Sequence, residues 1–376
     1  MKIARLSDLA DPATCPRLVV KVGSSLLVGK QGVRQHWLEG LVTEIAAART
    51  RGQDVIVVSS GAIALGAATL GLDKGGRGSL ADAQAAAAVG QIALSGLWAQ
   101  LLSAHGLTAA QLLLTLEDLE DRRRYLNATA TLTRLLDAGA VPVINENDSV
   151  ATQEIRFGDN DRLAARVAQA ARAEAVLLLS DVDGLFDRNP AQPGAVRLAE
   201  VHGVTPEIHA MATGGSSSGM GSGGMTSKLQ AAEIAERAGI ALAIASGLHD
   251  APIARACVEG IGTLFVPRRK DAARKAWLGG RLRLKGALTV DAGAARALGR
   301  GGSLLAAGIT AVEGEFQRGD AVAIRDQAGT TLAHGLAEYE ALECARLMGT
   351  QSAEHAALLG YTPRSAVVHR DQMVLL

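Results

Sequence analysis

The sequence predicts an α/β fold, a three-layer α/β/α sandwich with a mainly parallel sheet, followed by a small β-rich domain. Up to about residue 266, short and continuously apolar runs alternate with longer segments of helical spacing. Strands that are buried on both faces are apolar along their whole length, so these runs are typical of a parallel sheet covered by helices. After residue 285 the apolar runs are separated by glycine-containing turns, which favours a small β domain.

The apolar runs of the first part are predicted to be its strands. They cover residues 17–22, 54–59, 108–114, 141–144, 175–180, 240–245 and 263–266. Residues 35–51 carry apolar side chains at helical spacing, which predicts a long helix after the first strand. Ligands of such sheets gather at the carboxyl ends of the strands, so functional residues are expected directly after these runs.

The second domain is predicted from residue 286 to residue 376. Its expected strands cover residues 288–290, 308–312, 321–324 and 330–334, and its expected helices cover residues 292–298 and 339–348. The stretch between the domains, residues 267–285, is strongly basic and is interpreted as a solvated linker. The first domain is therefore predicted to end at residue 266.

Composition excludes several classes of protein. With 48% apolar and 20% charged residues the chain is typical of a globular protein rather than a disordered one. The 38 basic and 38 acidic residues give no net charge, which argues against a general binder of polyanions. The three cysteines are far apart, which predicts neither a disulfide nor a cysteine zinc site. Because no signal peptide or long apolar run is evident, a cytoplasmic location and no membrane contact are expected.

A lysine and two serines lie at or directly after the ends of the first two predicted strands. Lys21 lies within an apolar strand, where its ammonium group needs a partner at the strand end. The alternative is a lysine of an edge strand that points into water. Ser59 and Ser60 stand at the start of the next predicted helix, where backbone N–H groups favour a carboxylate or phosphate, although a plain serine cap remains an alternative.

Acidic and amide side chains follow the strand that ends near residue 144. Asn145 and Asp148 come directly after it, and Asp159, Asn160 and Asp161 open the next predicted helix. Two such clusters at one helix start indicate loops that handle a ligand. A turn for the first cluster and a helix cap for Asp161 remain alternatives. We assign no residue as a metal ligand, and neither cluster matches an EF-hand.

Two further segments indicate phosphate binding. Ser180 and Asp181 end another predicted strand, although an Asp-Gly turn would also account for the acids there. The glycine-rich residues 214–224 lead into a helix that begins near Lys228, and such a loop can surround phosphates with backbone N–H groups. A flexible linker is the alternative. Two lysines with acidic loops at strand ends together predict phosphoryl transfer, which needs cations and positioned donors more than covalent chemistry.

These motifs resemble those of the amino acid kinase family, and in particular the members that phosphorylate the γ-carboxylate of glutamate. The resemblance covers nearly the whole chain. The matching stretches are VVKVGSS (19–25), VSSGAIALG (58–66), VPVINENDSVAT (141–152), FGDNDRLAA (157–165), LLLSDVDGL (177–185), GMGSGGMTSKLQAA (219–232) and VHRDQM (368–373). Residues 286–361 look like a PUA domain, a small β pseudobarrel.

The resemblance implies a role for each matching residue. It implies that Lys21 and Lys228 stabilise the transferring phosphoryl group and that Asp161 organises the two lysines. The positions implied for glutamate binding are Ser60, Asp148, Asn160, Asp159 and Asn145. The positions implied for ATP binding are Lys21, Ser180, Asp181, Ser222, Gly223, Gly224, Met225, Thr226, Ser227 and Lys228.

The resemblance also implies cofactors and partners. ATP would be the co-substrate, Mg²⁺ would bridge its phosphates, and the chain would form homo-oligomers that are inhibited by proline. One alternative is a sister kinase of the same fold that acts on another carboxylate, a phosphate or a carbamate. A second alternative is an RNA-binding protein that uses the PUA-like domain and the basic stretch, although RNA binding is not the expected activity.

Overall fold

The computed structural model describes residues 3–29, 32–150, 159–213, 224–268, 284–364 and 366–376. The chain divides into two compact units, Met1–Lys270 and Asp271–Leu376. The basic segment that we predict to be a linker lies mostly outside the described residues.

The first unit alternates strands and helices along the chain. Its strands are β1 (Arg17–Val22), β2 (Val28–Gly29), β3 (Gly32–Val33), β4 (Asp54–Ser59), β5 (Ala109–Leu114), β6 (Val141–Glu146), β7 (Ala175–Ser180), β8 (Glu200–His202), β9 (Ala241–Ser246) and β10 (Thr263–Val266). Its α-helices are α1 (Ser24–Leu27), α2 (Gln35–Thr50), α3 (Ala62–Leu70), α4 (Leu80–Ser103), α5 (Leu116–Glu120), α6 (Arg122–Asp137), α7 (Asp159–Ala171), α8 (Pro206–Thr213), α9 (Gly224–Arg237) and α10 (Pro252–Cys257). Short 3₁₀ helices cover Leu6–Ala10 and Asp73–Gly76.

Within the described residues, the main sheet has the strand order β5-β6-β4-β1-β7-β9-β10-β8. Its neighbours pair in parallel except β9 and β10, which are antiparallel. Each apolar run that we predict to be a strand in this unit is present, within two residues at each end. β8 was not predicted, because its three residues give no apolar pattern. The mainly parallel sheet is confirmed.

Each face of the sheet supports its own hydrophobic core. Leu18, Val20 and Val22 of β1 lie in a core with α2, α4 and α10, whereas Val19 lies in a core with α6, α7 and α9. Successive side chains of a strand point to opposite faces, so this division produces three layers. Lys21 therefore lies on the same face as Val19, next to α7 and α9. The predicted three-layer arrangement is confirmed.

The residues before β1 pack against the first core. Leu6 and Leu9 are buried in that core. The side chain of Gln53, which is 1% exposed, donates hydrogen bonds to the carbonyl oxygens of Leu9 (2.7 Å) and Cys15 (2.6 Å). A buried amide needs such partners, so Gln53 attaches this N-terminal segment to the sheet.

Helix α4 is long and apolar enough to cross a membrane by length and composition alone. It is the single helix with these properties in the part of the chain that the structure describes. Core helices of water-soluble proteins meet the same criteria, and Leu94, Trp98 and Leu102 of α4 are buried in the first core.

Helices α3 and α4 approach each other at two glycines. A Cβ atom on Gly90 would lie far inside van der Waals distance of the carbonyl oxygen of Ala62 on α3. A Cβ atom on Gly66 would collide in the same way with the carbonyl oxygen of Ala86 on α4. Only glycine allows the two backbones to come this close, so this contact determines how deeply α4 lies against α3.

The substitution Gly90→Ala is expected to lower the free energy of unfolding by about 1–3 kcal/mol, because the added methyl group forces the helices apart. Thermal or urea unfolding measures the effect. Gly96→Ala on the same helix is the matched control, since a Cβ atom there meets nothing within 4 Å. That control should match the wild type or exceed its stability by up to about 1 kcal/mol. Equal stability of the two variants would contradict the proposed contact.

The second unit contains a mainly antiparallel sheet. Its described strands are β11 (Gly286–Val290), β12 (Ile309–Gly314), β13 (Ala321–Arg325), β14 (Thr331–Leu336) and β15 (Met373–Leu375), in the order β12-β11-β13-β14-β15. β11 and β13 form the parallel pair. Helices cover Ala292–Gly299, Ala341–Leu347 and His355–Leu359, and 3₁₀ helices cover Ala306–Gly308 and Arg370–Gln372. The predicted strands of this unit are confirmed, and β15 was not predicted.

Candidate active site

Asp161 lies between the two lysines that the sequence singled out. Its Oδ1 is 2.5 Å from Nζ of Lys21, and its Oδ2 is 3.2 Å from Nζ of Lys228. Lys21 comes from β1, Asp161 from the first turn of α7, and Lys228 from α9. The sheet thus brings together three residues that span more than 200 positions of the chain, from Lys21 to Lys228.

This ion-pair cluster is buried and is held by further hydrogen bonds. Asp161 is 1% exposed, and each lysine is 7% exposed. Ser227 donates a further hydrogen bond to Oδ2 of Asp161 (3.1 Å), and Lys228 donates to the carbonyl oxygen of Gly224 (3.2 Å). Burial by itself would raise the pKa of Asp161, but the charges of Lys21 and Lys228 outweigh burial and lower it. The carboxylate is therefore ionised at neutral pH.

A second cluster of polar side chains begins at the residue before Asp161. Nδ2 of Asn160 donates to Oγ of Ser60 (3.0 Å) and to Oδ1 of Asn145 (3.2 Å). Ser60 directly follows β4, and Asn145 lies near the end of β6. β4 and β6 are neighbours in the sheet. Oδ1 of Asn160 is buried and has no hydrogen-bond partner within the described part of the chain. An unpaired buried acceptor is costly, and a bound ligand with a donor group would satisfy it.

The backbone around Ser60 requires glycine at the next position. Gly61 has a φ of 116°, which is strongly disfavoured for other residues, and a Cβ atom on it would lie 3.2 Å from Leu27. Helix α3 begins directly after Gly61 without a side-chain cap, as far as the described residues show. Uncapped N–H groups at a helix start favour a carboxylate or another anion.

The other predicted substrate position, Asp148, is buried after the end of β6. It lines a groove of about 380 Å³ together with Gln91 and Ile92 of α4, Gln111 and Leu113 of β5, and Asn147. The groove is large enough for a small amino acid. The side chain of Asp159 lies outside the described residues, so only its place at the start of α7 is known.

Besides Lys21 of β1, the predicted ATP-binding residues that the structure describes lie at the end of β7 and at the start of α9. Ser180 ends β7 and donates to Oδ1 of Asp181 (2.9 Å). Gly224, Met225, Thr226 and Ser227 form the start of α9, directly before Lys228. Ser222 and Gly223, like the glycine-rich residues before them, lie outside the described residues. The described parts of the predicted ATP site are thus Lys21, the end of β7 and the start of α9.

Among the residues that the structure describes, no group of three His, Cys, Asp or Glu side chains could hold a metal ion. Mg²⁺ commonly binds through nucleotide phosphates and water, so ATP can bring the ion without a protein cage. The three cysteines are buried thiols, and burial raises the pKa of each to about 12.

Sequence reasoning missed two side chains of α4 that reach the strand ends. Oε1 of Gln91 accepts a hydrogen bond from Nδ2 of Asn145 (2.8 Å), and Nε1 of Trp98 donates to Oγ of Ser59 (2.9 Å). Both lie in an alanine-rich helix without a recognisable motif, so no local pattern identifies them.

The geometry defines a site with two adjoining parts. Asp161 belongs to the cationic cluster, while Asn160, its neighbour in the chain, belongs to the amide and hydroxyl cluster. Two ammonium groups can stabilise the negative charge of a transferring phosphoryl group. The adjoining polar cluster can hold the group that receives it. This is the arrangement of a small-molecule kinase.

Comparison with known proteins agrees with this class. Residues 16–246 match the amino acid kinase family, and residues 286–359 match the PUA domain. The chain belongs to the amino acid kinase family.

Three relatives of high sequence identity carry the same name. The chain is 73% identical to "Glutamate 5-kinase" of Novosphingobium aromaticivorans over 100% of both chains. It is 62% identical to "Glutamate 5-kinase" of Sphingopyxis alaskensis, over 98% of this chain and 100% of the relative. It is 54% identical to "Glutamate 5-kinase" of Zymomonas mobilis, over 97% of this chain and 92% of the relative.

Proposed function

We propose that this chain is a glutamate 5-kinase, which transfers the γ-phosphoryl group of ATP to the γ-carboxylate of L-glutamate. The observation that carries the proposal is the buried Lys21–Asp161–Lys228 cluster beside the polar cluster of Ser60, Asn145 and Asn160. The glutamate 5-kinases that the chain resembles over its full length support the same substrate.

The transfer needs no general base. The γ-carboxyl group of glutamate has a pKa of about 4.3, so it is already ionised at neutral pH. One of its oxygens attacks the γ-phosphorus in line, a new O–P bond forms, and the bond from the γ-phosphorus to the bridging oxygen breaks. ADP leaves with the electron pair of that bond. The product is L-glutamyl 5-phosphate, an acyl phosphate, and no proton has to move.

The two lysines act on the phosphoryl group in this proposal. Negative charge develops on the transferring and leaving oxygens, and Lys21 and Lys228 stabilise it. Asp161 holds both ammonium groups in place before ATP binds, so little reorganisation is needed during the reaction.

Separate elements bind the two substrates in this proposal. Ser180, Asp181 and the start of α9 bind ATP, and Mg²⁺ that arrives with ATP would supply positive charge against the phosphates. Ser60 and the N-terminus of α3 lie beside Asn160, where a carboxylate is favoured. Asp148 and Asn160 supply acceptors suited to an ammonium group. A ligand with carboxylate and ammonium groups, such as an amino acid, therefore matches the polar cluster.

The same proposal includes the cellular setting that the resemblance implies. The enzyme would supply the first step of proline biosynthesis in the cytoplasm, form a homo-oligomer and be inhibited by proline. These properties stay predictions.

A substrate panel tests the proposed function. ATP-dependent acyl-phosphate formation is trapped with hydroxylamine, using L-glutamate, L-aspartate, N-acetyl-L-glutamate, or bicarbonate with ammonia. We expect product with L-glutamate alone. Product with another member of the panel instead would reassign the acceptor cluster to that substrate. No product with any of them would refute the kinase assignment.

A further inference from the structure

Gln91 of α4 is bound to the polar cluster although no motif marks it. Its Oε1 accepts a hydrogen bond of 2.8 Å from Nδ2 of Asn145, which is 2% exposed. Asn145 in turn accepts a hydrogen bond from Nδ2 of Asn160. Gln91 also lines the groove that contains Asp148, so it lies beside two of the proposed substrate-binding residues.

A backbone N–H group determines the direction of this hydrogen-bond chain. The amide of Glu146 donates to Oδ1 of Asn145 (2.9 Å), and a backbone N–H can only donate. Oδ1 of Asn145 must therefore face Glu146 and Asn160, and its NH₂ group must face Gln91. Asn160 must then present its own NH₂ group to Asn145. Oδ1 of the Asn160 side chain is consequently an acceptor without a partner among the described residues.

Gln91 stabilises this orientation by accepting from the buried NH₂ group of Asn145. A buried donor without an acceptor is costly. Without Oε1 of Gln91, the NH₂ group of Asn145 would lose this acceptor, and only the Glu146 amide and Asn160 would hold the Asn145 side chain. The position of Gln91 itself is set by its neighbour Gly90, because the close approach of Gly90 to Ala62 determines how deeply α4 packs.

We propose that Gln91 is a positioning residue for the amino-acid substrate. Gln91 fixes the orientation of the Asn145 side chain, and Asn145 in turn fixes that of Asn160. The carbonyl oxygen of the Asn160 side chain is then available to a donor group of the substrate. Gln91 acts through Asn145 and touches neither ATP nor the reacting carboxylate in this proposal. The inference rests on the proposed function, since it assigns Gln91 to the glutamate half of the site.

The test compares Gln91→Met with the wild type. Methionine preserves the length of the side chain and removes the strong acceptor. We expect the KM for L-glutamate to rise about 3- to 10-fold, which corresponds to the loss of one net hydrogen bond. The KM for ATP should stay unchanged. Gln100→Met is the matched control, because Gln100 is an exposed residue of the same helix and should leave both KM values unchanged.

A double-mutant cycle separates positioning from a general loss of structure. In an Asn145→Ala background, Gln91→Met should cause no further rise in the glutamate KM, because the amide that Gln91 positions is absent. Additive effects of the two substitutions would overturn the proposal, as would an equal rise of both KM values with a lower melting temperature. If the wild type does not phosphorylate glutamate, the proposed function fails. If it does and Gln91→Met behaves like Gln100→Met, the positioning role alone fails.

Discussion

Replacing Lys228 with methionine is expected to lower kcat about 100- to 1,000-fold, the effect of removing one donor that stabilises transition-state charge. The KM for L-glutamate should change little. Methionine fills similar space but carries no charge, so Asp161 keeps Lys21 as its counter-charge. Steady-state kinetics with ATP and glutamate measures both constants.

Lys285→Met serves as a control for loss of a lysine, because Lys285 is exposed and lies in the second unit. Its kinetic constants should equal those of the wild type. A Lys228→Met variant that keeps its kcat and loses only affinity for substrate would show that Lys228 binds the ground state. The proposed role in the transition state would then be wrong.

Replacing Asp161 with asparagine is expected to abolish most activity and lower the free energy of unfolding by about 3–5 kcal/mol. Both lysines would remain buried without the carboxylate that pairs with them, and burying an unpaired charge is costly. Urea unfolding measures the stability. Asp137→Asn is the control, because Asp137 is exposed at the end of α6 and should have little effect.

The pH dependence of stability tests the same ion-pair cluster. The pKa of Asp161 is lowered in the folded protein, so its stabilising effect is present above the ordinary carboxyl value of 3.8. The effect is lost as the pH falls through the folded pKa. The difference in unfolding free energy between wild type and Asp161→Asn should therefore shrink as the pH falls below 3.8. A difference that stays constant there would mean that Asp161 is not the ionised partner of the lysines.

Much of the first unit follows from local sequence. The strands of the sheet centre are buried on both faces, so their apolar runs are continuous and easy to recognise. β8 is three residues long, and β15 is equally short, so neither produces a readable pattern. The segment before β1 was not placed from sequence, because its attachment depends on Gln53, which lies far along the chain.

The sequence by itself determined the fold class, most of the strands and the lysines and acids at strand ends, because buried strands and charged residues inside them leave local signatures. The family resemblance implied that Asp161 organises Lys21 and Lys228, but only the tertiary structure placed the carboxylate between the two ammonium groups, and only it joined Gln91 to Asn145. These contacts depend on strand order and on the depth at which α4 packs against α3. Both are set by packing between residues distant in the chain, and a local pattern of residues contains no information about such distances.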